Sequence, residues 1–329
     1  MMKMNKLFTA AFAAVLAVLS IVGLSACTST SGTTGSNSSE SQSASESQKI
    51  QVVASFYPMA DFAQKIGGDH VEVENLCPAG TEPHEWEPSP ADIKAIESAR
   101  VFVYNGADME GCVDDALASA NVTGTVVCAS DGIDLRVADH DHDADEADPH
   151  EHAGEHDPHV WLAPENAKKE AENIKDALVK ADPDNASDYE ANYEKWAREF
   201  DDLDSEFASR LSQTSGKTIV VSHEAFGYLC DAYGLTQEPI TSMDAEGEPD
   251  AKTMAEIVQF VRDNNVKVIF SEDLVSPKIA QQIAEETGAS CKVLNPIEGL
   301  EQDELDAGED YFSVMRDNLD ELVGALNQQ

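Results

Sequence analysis

Short apolar runs alternate with amphipathic stretches from residue 51 to the C-terminus. The runs have the length and composition of buried β-strands, and the stretches between them place apolar residues three or four positions apart, as helices do. The predicted strands are 51–55, 71–76, 100–104, 125–128, 218–221, 266–270 and 291–294. The predicted helices are 58–66, one that begins at Pro90, 109–119, 164–180, 188–213, 225–233, 250–264, 277–287 and 306–326. This alternation predicts an α/β fold of two parallel-sheet lobes.

One predicted helix, 188–213, is much longer than its neighbours. Its apolar side chains recur at spacings of three or four and form a single stripe. They are Tyr189, Tyr193, Trp196, Phe200, Leu203, Phe207 and Leu211. At 1.5 Å per residue the helix would be roughly 40 Å long, about the height of a lobe. We therefore expect one long rigid helix to join the two lobes, with a ligand site in the cleft between them.

The N-terminus has the layout of a secretion signal. Lys3 and Lys6 precede the apolar run 7–23, which is too short for a comfortable membrane span. The following Leu-Ser-Ala-Cys resembles a bacterial lipobox, which implies cleavage before Cys27 and lipid on its thiol. The alternative is an ordinary signal peptide with a chance cysteine. Lipidation predicts an extracytoplasmic protein that is anchored to the cell membrane.

The domain organisation follows from these patterns. Residues 28–48 are rich in Ser, Thr and Gly and carry almost nothing apolar, so we expect a flexible tether. The predicted segments are a signal peptide 1–26, a lipid-anchored tether 27–49, an N-terminal lobe 50–163 with a His/Asp-rich loop 139–158, a helical segment 164–215 with the connector, and a C-terminal lobe 216–329.

Charge and histidine content point to a cation as the ligand. The chain has 63 acidic and 21 basic residues, a formal net charge of −42, which argues against nucleic acid or an anionic membrane surface as partner. Residues 139–159 hold six of the nine histidines, interleaved with acidic residues. A solvated acidic loop is the alternative, but histidine-rich tracts commonly bind metal. The predicted secondary loop ligands are His140, His142, His150, His152 and His156.

Four other candidate ligands, His84, His159, His223 and Glu298, follow predicted strands or the His/Asp-rich loop. Ligands of open parallel sheets bind beyond the carboxyl ends of the strands, and each lobe contributes two of these residues. Three imidazoles and one carboxylate suit Zn²⁺, whereas Mg²⁺ and Ca²⁺ prefer oxygen ligands. His70, beside a Gly-Gly-Asp turn, is interpreted as structural.

Several segments resemble one family in sequence and in order. They are PAGTEPHEWEPSPADI (78–93), DPHVWLAPENAKK (157–169), VVSHEAFGYLCDAYGL (220–235), FSEDLVSPKIAQQIAEETG (270–288) and VLNPIEGL with the following DYFSVMRDNLDEL. The family comprises the zinc-uptake solute-binding lipoproteins of bacterial ABC transporters, the ZnuA/AdcA-like branch of the metal-binding cluster. The resemblance implies a monomer that is not an enzyme, captures Zn²⁺ and delivers it to a membrane permease with a cytoplasmic ATPase.

The resemblance also bears on the ligands. His84 in E-P-H, His159 in D-P-H-x-W-L and His223 in S-H-x-A-F match the three histidine ligands of the family. Glu298 in N-P-I-E-G-L lies where relatives use a carboxylate or leave the place to water, with Glu82 as the alternative. The manganese branch typically has a carboxylate where this chain has His223, which favours zinc.

The sequence also permits other interpretations. A zinc hydrolase could use Glu224, beside His223, as general base, although no H-E-x-x-H is present. A manganese-binding or adhesin member of the family is a further alternative. Asp157 or Glu224 could support the imidazoles from behind. The cysteines at 77, 112, 128, 230 and 291 could form up to two disulfides, and we expect Cys230 to pair with Cys291.

Overall fold

The computed structural model describes residues 49–137, 156–243, 245 and 247–329. The strands are β1 (Ile50–Ala54), β2 (Val71–Asn75), β3 (Val101–Tyr104), β4 (Thr125–Cys128), β5 (Thr218–Val221), β6 (Thr236–Pro239), β7 (Val268–Ser271) and β8 (Ser290–Val293). The α-helices are α1 (Tyr57–Gly67), α2 (Pro90–Ser98), α3 (Val113–Ser119), α4 (Pro164–Ala181), α5 (Ala186–Leu211), α6 (Gly227–Tyr233), α7 (Ala251–Asp263), α8 (Lys278–Thr287), α9 (Gln302–Ala307) and α10 (Tyr311–Leu326). No helix within these residues is both long and apolar enough to cross a membrane.

The strands form two four-stranded sheets, and every strand pair is parallel. The N-terminal sheet has the order β2-β1-β3-β4 and the C-terminal sheet the order β6-β5-β7-β8. Both orders place the first strand of the lobe in the interior of its sheet. Because the strands are parallel, the carboxyl ends of neighbouring strands lie at the same edge of each sheet, where loops from adjacent strands can share a ligand. The predicted two-lobed α/β architecture is confirmed.

Both faces of each sheet are covered, which explains why the central strands β1, β3, β5 and β7 are mainly apolar, whereas the edge strands β2, β6 and β8 carry polar residues. Val52 packs in the main hydrophobic cluster, while its neighbour Val53 points to the opposite face, against a smaller cluster with α2 and α3. Val221 and Val220 divide in the same way between the main cluster and a cluster with α7 and α8. The main cluster contains residues of both lobes, so the two sheets share one continuous core.

Helix α5 is the predicted long helix, and its 26 residues contact both lobes. Its apolar stripe packs into the main cluster. On the N-terminal side, the Trp196 indole N–H donates to the Lys65 carbonyl of α1 at 2.9 Å. On the C-terminal side, Arg316 of α10 bonds to the carboxylates of Glu199 and Glu206. These contacts fix α5 against each lobe.

In two places the structure differs from the predicted elements by more than their bounds. Strand β6 was not expected, because its sequence Thr-Gln-Glu-Pro lacks an apolar pattern and pairs only at the edge of the sheet. The single helix expected over 306–326 is wrong, since α9 and α10 are separate. Gly308 has φ of 86°, which ends α9, and the Asp310 side chain accepts the Ser313 N–H to begin α10.

The expected Cys230–Cys291 disulfide is also wrong. All five cysteines of the described residues are free thiols. Cys230 lies on α6 and packs in the main cluster, whereas Cys291 lies on β8 and packs against the cluster that includes α7 and α8. The two side chains therefore lie on opposite faces of the C-terminal sheet. A disulfide requires Cα atoms within about 7 Å and converging side chains.

Candidate metal centre

His84 lies in the loop that follows β2. The carboxylate of Glu82 accepts the backbone N–H groups of His84 and Glu85 at 3.1 and 3.3 Å, which folds the loop into a tight turn. Burial raises the pKa of Glu82 above its ordinary value. The His84 side chain is 15% exposed. Glu82 therefore supports the backbone of this loop while His84 projects from it.

His159 lies directly before the 3₁₀ turn Val160–Leu162 and is fully buried. One oxygen of Asp157, Oδ1, accepts both the backbone N–H of His159, at 3.0 Å, and its ring Nδ1–H, at 2.9 Å. Because a carboxylate only accepts, the proton of a neutral imidazole must lie on Nδ1. The lone pair of Nε2 is then free and points away from Asp157.

His223 follows β5 and is held in the same manner by Glu272. Glu272 follows β7, the parallel neighbour of β5, so that the ends of the two strands bring the residues together. Its two oxygens accept the backbone N–H of His223, at 3.1 Å, and the ring Nδ1–H, at 2.8 Å. His223 is also fully buried. Here too the orientation leaves Nε2 free to bind a cation.

The three imidazoles converge on Glu298, which lies in the loop after β8 and is 2% exposed. Glu298 Oε1 is 3.0 Å from His159 Nε2, 3.2 Å from His223 Nε2 and 3.4 Å from His84 Nε2. His159 Nε2 is also 3.1 Å from His84 Nε2 and 3.2 Å from His223 Nε2. The four ligand atoms all lie within 4.8 Å of one another. Two of them come from each lobe.

The electrostatics of the cluster favour a cation. Burial lowers the pKa of His159, but its bonds to Asp157 and Glu298 outweigh that effect and raise the pKa above 6.5. Burial likewise opposes the charged form of His223, yet the charges of Glu272 and Glu298 raise its pKa well above 6.5. Burial alone would raise the pKa of Glu298, but the imidazoles, His223 first, hold it well below 4.5. The three carboxylates thus give this buried site a negative field.

Three nitrogen atoms and one carboxylate oxygen form a donor set that suits tetrahedral Zn²⁺. A tetrahedral ion with bonds of about 2.0–2.2 Å separates its ligand atoms by about 3.3–3.6 Å, and the nearest-neighbour distances of 3.0–3.4 Å in this cluster lie close to that range. Within residues 49–137, 156–243, 245 and 247–329, this is the single group of three or more His, Cys, Asp or Glu residues placed closely enough to hold a metal.

The structure brings together His84, His159, His223 and Glu298, while Glu82 binds backbone instead. Of the two residues expected behind the imidazoles, Asp157 contacts His159. The partner of the His223 ring is Glu272, a residue that the sequence reasoning missed. The signal was available, since Glu272 directly follows an apolar strand in FSED.

His156 lies apart from this group. It forms an antiparallel bridge with Val137, and its backbone N–H and ring Nδ1 both contact Asp108 Oδ2, at 3.0 and 3.1 Å. The bridge therefore pairs Val137, which precedes the His/Asp-rich loop, with a residue near the end of that loop. The other predicted loop ligands, His140, His142, His150 and His152, lie outside the described residues, as does Cys27.

The chain is similar in sequence to proteins of one family over most of its length. The family model of the zinc-uptake complex component A, periplasmic (ZnuA), matches residues 52–325. The high-affinity zinc uptake system protein ZnuA of Bacillus subtilis is 40% identical over 284 residues, which cover 86% of this chain and 89% of that protein. The zinc-binding lipoprotein AdcA of Streptococcus pneumoniae is 36% identical over 289 residues. That match covers 85% of this chain and 56% of AdcA, so the chain spans just over half the length of this relative.

A solved structure is similar over the same range. The Zn(II)-bound ZnuA-like domain of Streptococcus pneumoniae AdcA matches this chain with a TM-score of 0.73 at 35% identity. The match covers 85% of this chain and 99% of that domain. The similarity therefore includes both lobes and the cleft between them.

Proposed function

The chain belongs to the ZnuA family of zinc-uptake complex components, and from this premise we propose that it captures Zn²⁺ outside the cytoplasm and delivers it to an ABC permease. The observation that carries the proposal is the convergence of three imidazole Nε2 atoms and Glu298 Oε1 in the buried interlobe cluster. The ion is the cargo of the protein. The four residues are its proposed ligands.

The protein holds the ion by preorganisation. Asp157 and Glu272 fix one proton of each buried imidazole on Nδ1, so that the neutral ring presents its Nε2 lone pair to the ion without a change of tautomer. The negative charge around the cluster offsets the charge of the ion. Because each lobe supplies two ligands, a small rotation of one lobe against the other would separate them. We propose that the permease and its cytoplasmic ATPase use such a rotation to release zinc.

The proposed location is the outer side of the cell membrane, with lipid on Cys27 as anchor and the monomer as the working form. The name of the Streptococcus pneumoniae relative, a zinc-binding lipoprotein, supports this location. The relatives reported above are zinc-uptake and zinc-binding proteins, and none supports the hydrolase alternative. The manganese and adhesin alternatives remain predictions from sequence.

A competitive titration tests the proposed function. Full-length chain, freed of metal with a chelator, is titrated with Zn²⁺ and Mn²⁺ against a metal-sensitive dye, and zinc uptake is measured in cells with and without the protein. We expect one tight site that prefers zinc, and loss of uptake without the protein. Equal affinity for the two ions, or uptake that does not depend on the protein, would contradict the proposal.

Zinc affinity should depend on pH above the usual histidine range. The pKa values of His159 and His223 are raised in the metal-free protein, so protons compete with zinc at pH values above 6.5. Zinc binding must displace these protons, and affinity therefore falls as pH decreases, by up to about tenfold per pH unit for each imidazole that is protonated. Titrations from pH 8.5 to pH 5.5, with circular dichroism to verify folding, measure this slope. A flat profile over that range would argue against ligation by these imidazoles.

A further inference from the structure

The loop that carries Glu298 contains a strained residue. Ile297 has φ of 57°, and its side chain is fully buried. The other non-glycine residues with positive φ in the described part of the chain are Ala107, Asp108 and Asn265, so Ile297 is the β-branched one. A β-branched residue is crowded in this left-handed region, and such a conformation persists only where the surroundings enforce it. The turn directly before Glu298 must therefore be held by other parts of the protein.

Two buried asparagines hold this turn from the C-terminal lobe. Asn295 Oδ1 accepts the Ile297 N–H at 2.6 Å. Asn318, on α10, uses both ends of its amide, since Oδ1 accepts the Asn295 N–H at 2.9 Å and Nδ2 donates to the Asn295 carbonyl at 2.6 Å. Asn318 is 4% exposed. Because the buried Asn318 amide pairs with both the N–H and the carbonyl of Asn295, it fixes the backbone at the start of the Glu298 loop.

A third contact ties the same loop to the segment of His159. The indole N–H of Trp161 donates to the Pro296 carbonyl at 2.8 Å, and Trp161 itself is fully buried. Trp161 lies two residues after His159, in the 3₁₀ turn Val160–Leu162. The bond therefore links the ligand loops of the two lobes behind the metal centre.

A cavity lies beside the loop that carries Glu298, although the Glu298 side chain is only 1% exposed. The cavity, of about 180 Å³, adjoins this side chain and is also lined by Tyr57, Cys77, Gly299 and Leu300. This space is large enough for several water molecules. A carboxylate beside such a cavity could turn away from the imidazoles if its backbone were free to move. The conformation of the loop therefore acts together with the three imidazoles to direct Glu298 toward the cluster.

We propose that Asn318, Asn295 and Trp161 are positioning residues that enforce the Ile297 turn and thereby make Glu298 the fourth ligand of the ion. The inference rests on the proposed zinc-binding function and deepens it. Without these contacts the strained turn would relax, Glu298 would leave the cluster toward the cavity, and water would take its place. The site would then retain three imidazoles and bind zinc more weakly.

Substitution of Asn318 tests this inference. Asn318→Leu removes both hydrogen bonds at similar volume, and Asn318→Asp keeps the acceptor but removes the donor. We expect Asn318→Leu to lower zinc affinity by roughly 10- to 100-fold, the range found for groups that orient ligands, and Asn318→Asp to lower it less. The full-length chain is titrated with zinc against a chelator, and with Co²⁺, whose visible absorption spectrum changes when one of its ligand atoms is exchanged for another.

A direct comparison identifies the ligand that is lost. Glu298→Gln should change the Co²⁺ spectrum in the same way as Asn318→Leu. In the Glu298→Gln background, Asn318→Leu should alter zinc affinity by less than about twofold, since the two changes act on one interaction. Thr214→Val is the matched control, because it removes the Thr214 hydroxyl, which has a single proton to donate and whose oxygen lies within hydrogen-bond distance of the carbonyls of Leu211, at 2.8 Å, and Gly216, at 3.1 Å. This variant should have the zinc affinity and the Co²⁺ spectrum of the unaltered chain.

The outcomes separate this inference from the function on which it rests. If Asn318→Leu and Asn318→Asp keep the affinity and Co²⁺ spectrum of the unaltered chain, Asn318 serves stability alone and the positioning role is wrong. If the effects of Asn318→Leu and Glu298→Gln simply add, Asn318 acts through another part of the site. If the unaltered chain has no tight zinc site, the proposed function itself fails.

Discussion

His159→Ala is expected to lower zinc affinity by about two to three orders of magnitude. Structural zinc sites bind with about 10–16 kcal/mol, so one of four ligands accounts for about 3 kcal/mol. His159 is the most central of the four, because its Nε2 lies within 3.2 Å of His84, His223 and Glu298 atoms. Its removal also leaves the carboxylate of Asp157 without the ring that it orients. Zinc titration against a chelator of known affinity measures the loss.

Two further variants make this result decisive. His159→Gln fills most of the space and guards against a failure to fold, and it should show a comparable loss. His70→Ala is the control, because His70 contacts Asp188 and does not belong to the metal group. It should bind zinc as the unaltered chain does. If His159→Ala binds zinc within about threefold of the unaltered chain, the tight site lies elsewhere, and the His/Asp-rich loop becomes the principal chelator.

Glu170→Met is expected to stabilise the protein at pH 7 by about 1–3 kcal/mol, the cost of a buried polar group that lacks partners. Glu170 lies on α4 and is fully buried. Neither of its carboxyl oxygens has a hydrogen-bond partner among the residues that the structure describes. Burial, and then the charge of Glu110, raise its pKa well above 4.5. Methionine has a similar length and no polar group to desolvate.

The stabilisation expected from Glu170→Met should increase as the pH rises. The folded protein retains the Glu170 proton to a higher pH than the unfolded chain, which releases it once the pH exceeds its ordinary pKa of 4.5. The raised pKa therefore has no effect on stability below that pH, and it destabilises the folded protein increasingly as the pH rises toward the folded-state pKa. Urea unfolding of the metal-free protein at pH 5 and pH 8 should show a larger gain for Glu170→Met at pH 8.

An exposed glutamate provides the matched comparison. Glu190 lies on α5 with its side chain in solvent, so Glu190→Met should change the free energy of unfolding by no more than about 0.5 kcal/mol at either pH. Should Glu170→Met destabilise the protein at both pH values, the carboxyl of Glu170 must make favourable interactions in the core, and the expectation is wrong.

Much of the architecture could be predicted because local patterns and tertiary packing agree. The central strands β1, β3, β5 and β7 are mainly apolar because both faces of each sheet are buried. The stripe on α5 recurs at the helical period because one side of that helix packs in the core. Strand β6 could not be predicted in this way. It has no apolar pattern, and its conformation depends on pairing with β5 at the sheet edge.

The four residues of the metal group could be predicted from the sequence more completely than the carboxylates that orient the imidazoles. The sequence shows that each of the four follows a predicted strand or the His/Asp-rich loop, where ligand sites of parallel sheets form. They are His84, His159, His223 and Glu298. The carboxylate behind His223 was not anticipated, because Glu272 lies 49 residues away along the chain. It comes into contact only because β5 and β7 are parallel neighbours.

The sequence by itself determined the fold class, the connector helix and the residue types of the site, because burial periodicity and ligand chemistry are local properties of the chain. Only the tertiary structure decided which carboxylate serves which histidine, that Glu298 and not Glu82 joins the imidazoles, that the five cysteines remain apart, and that Ile297 adopts a strained turn. These outcomes depend on distances between residues that are far apart in the chain. Such distances arise from strand order and from packing of the two lobes, which no single stretch of sequence contains.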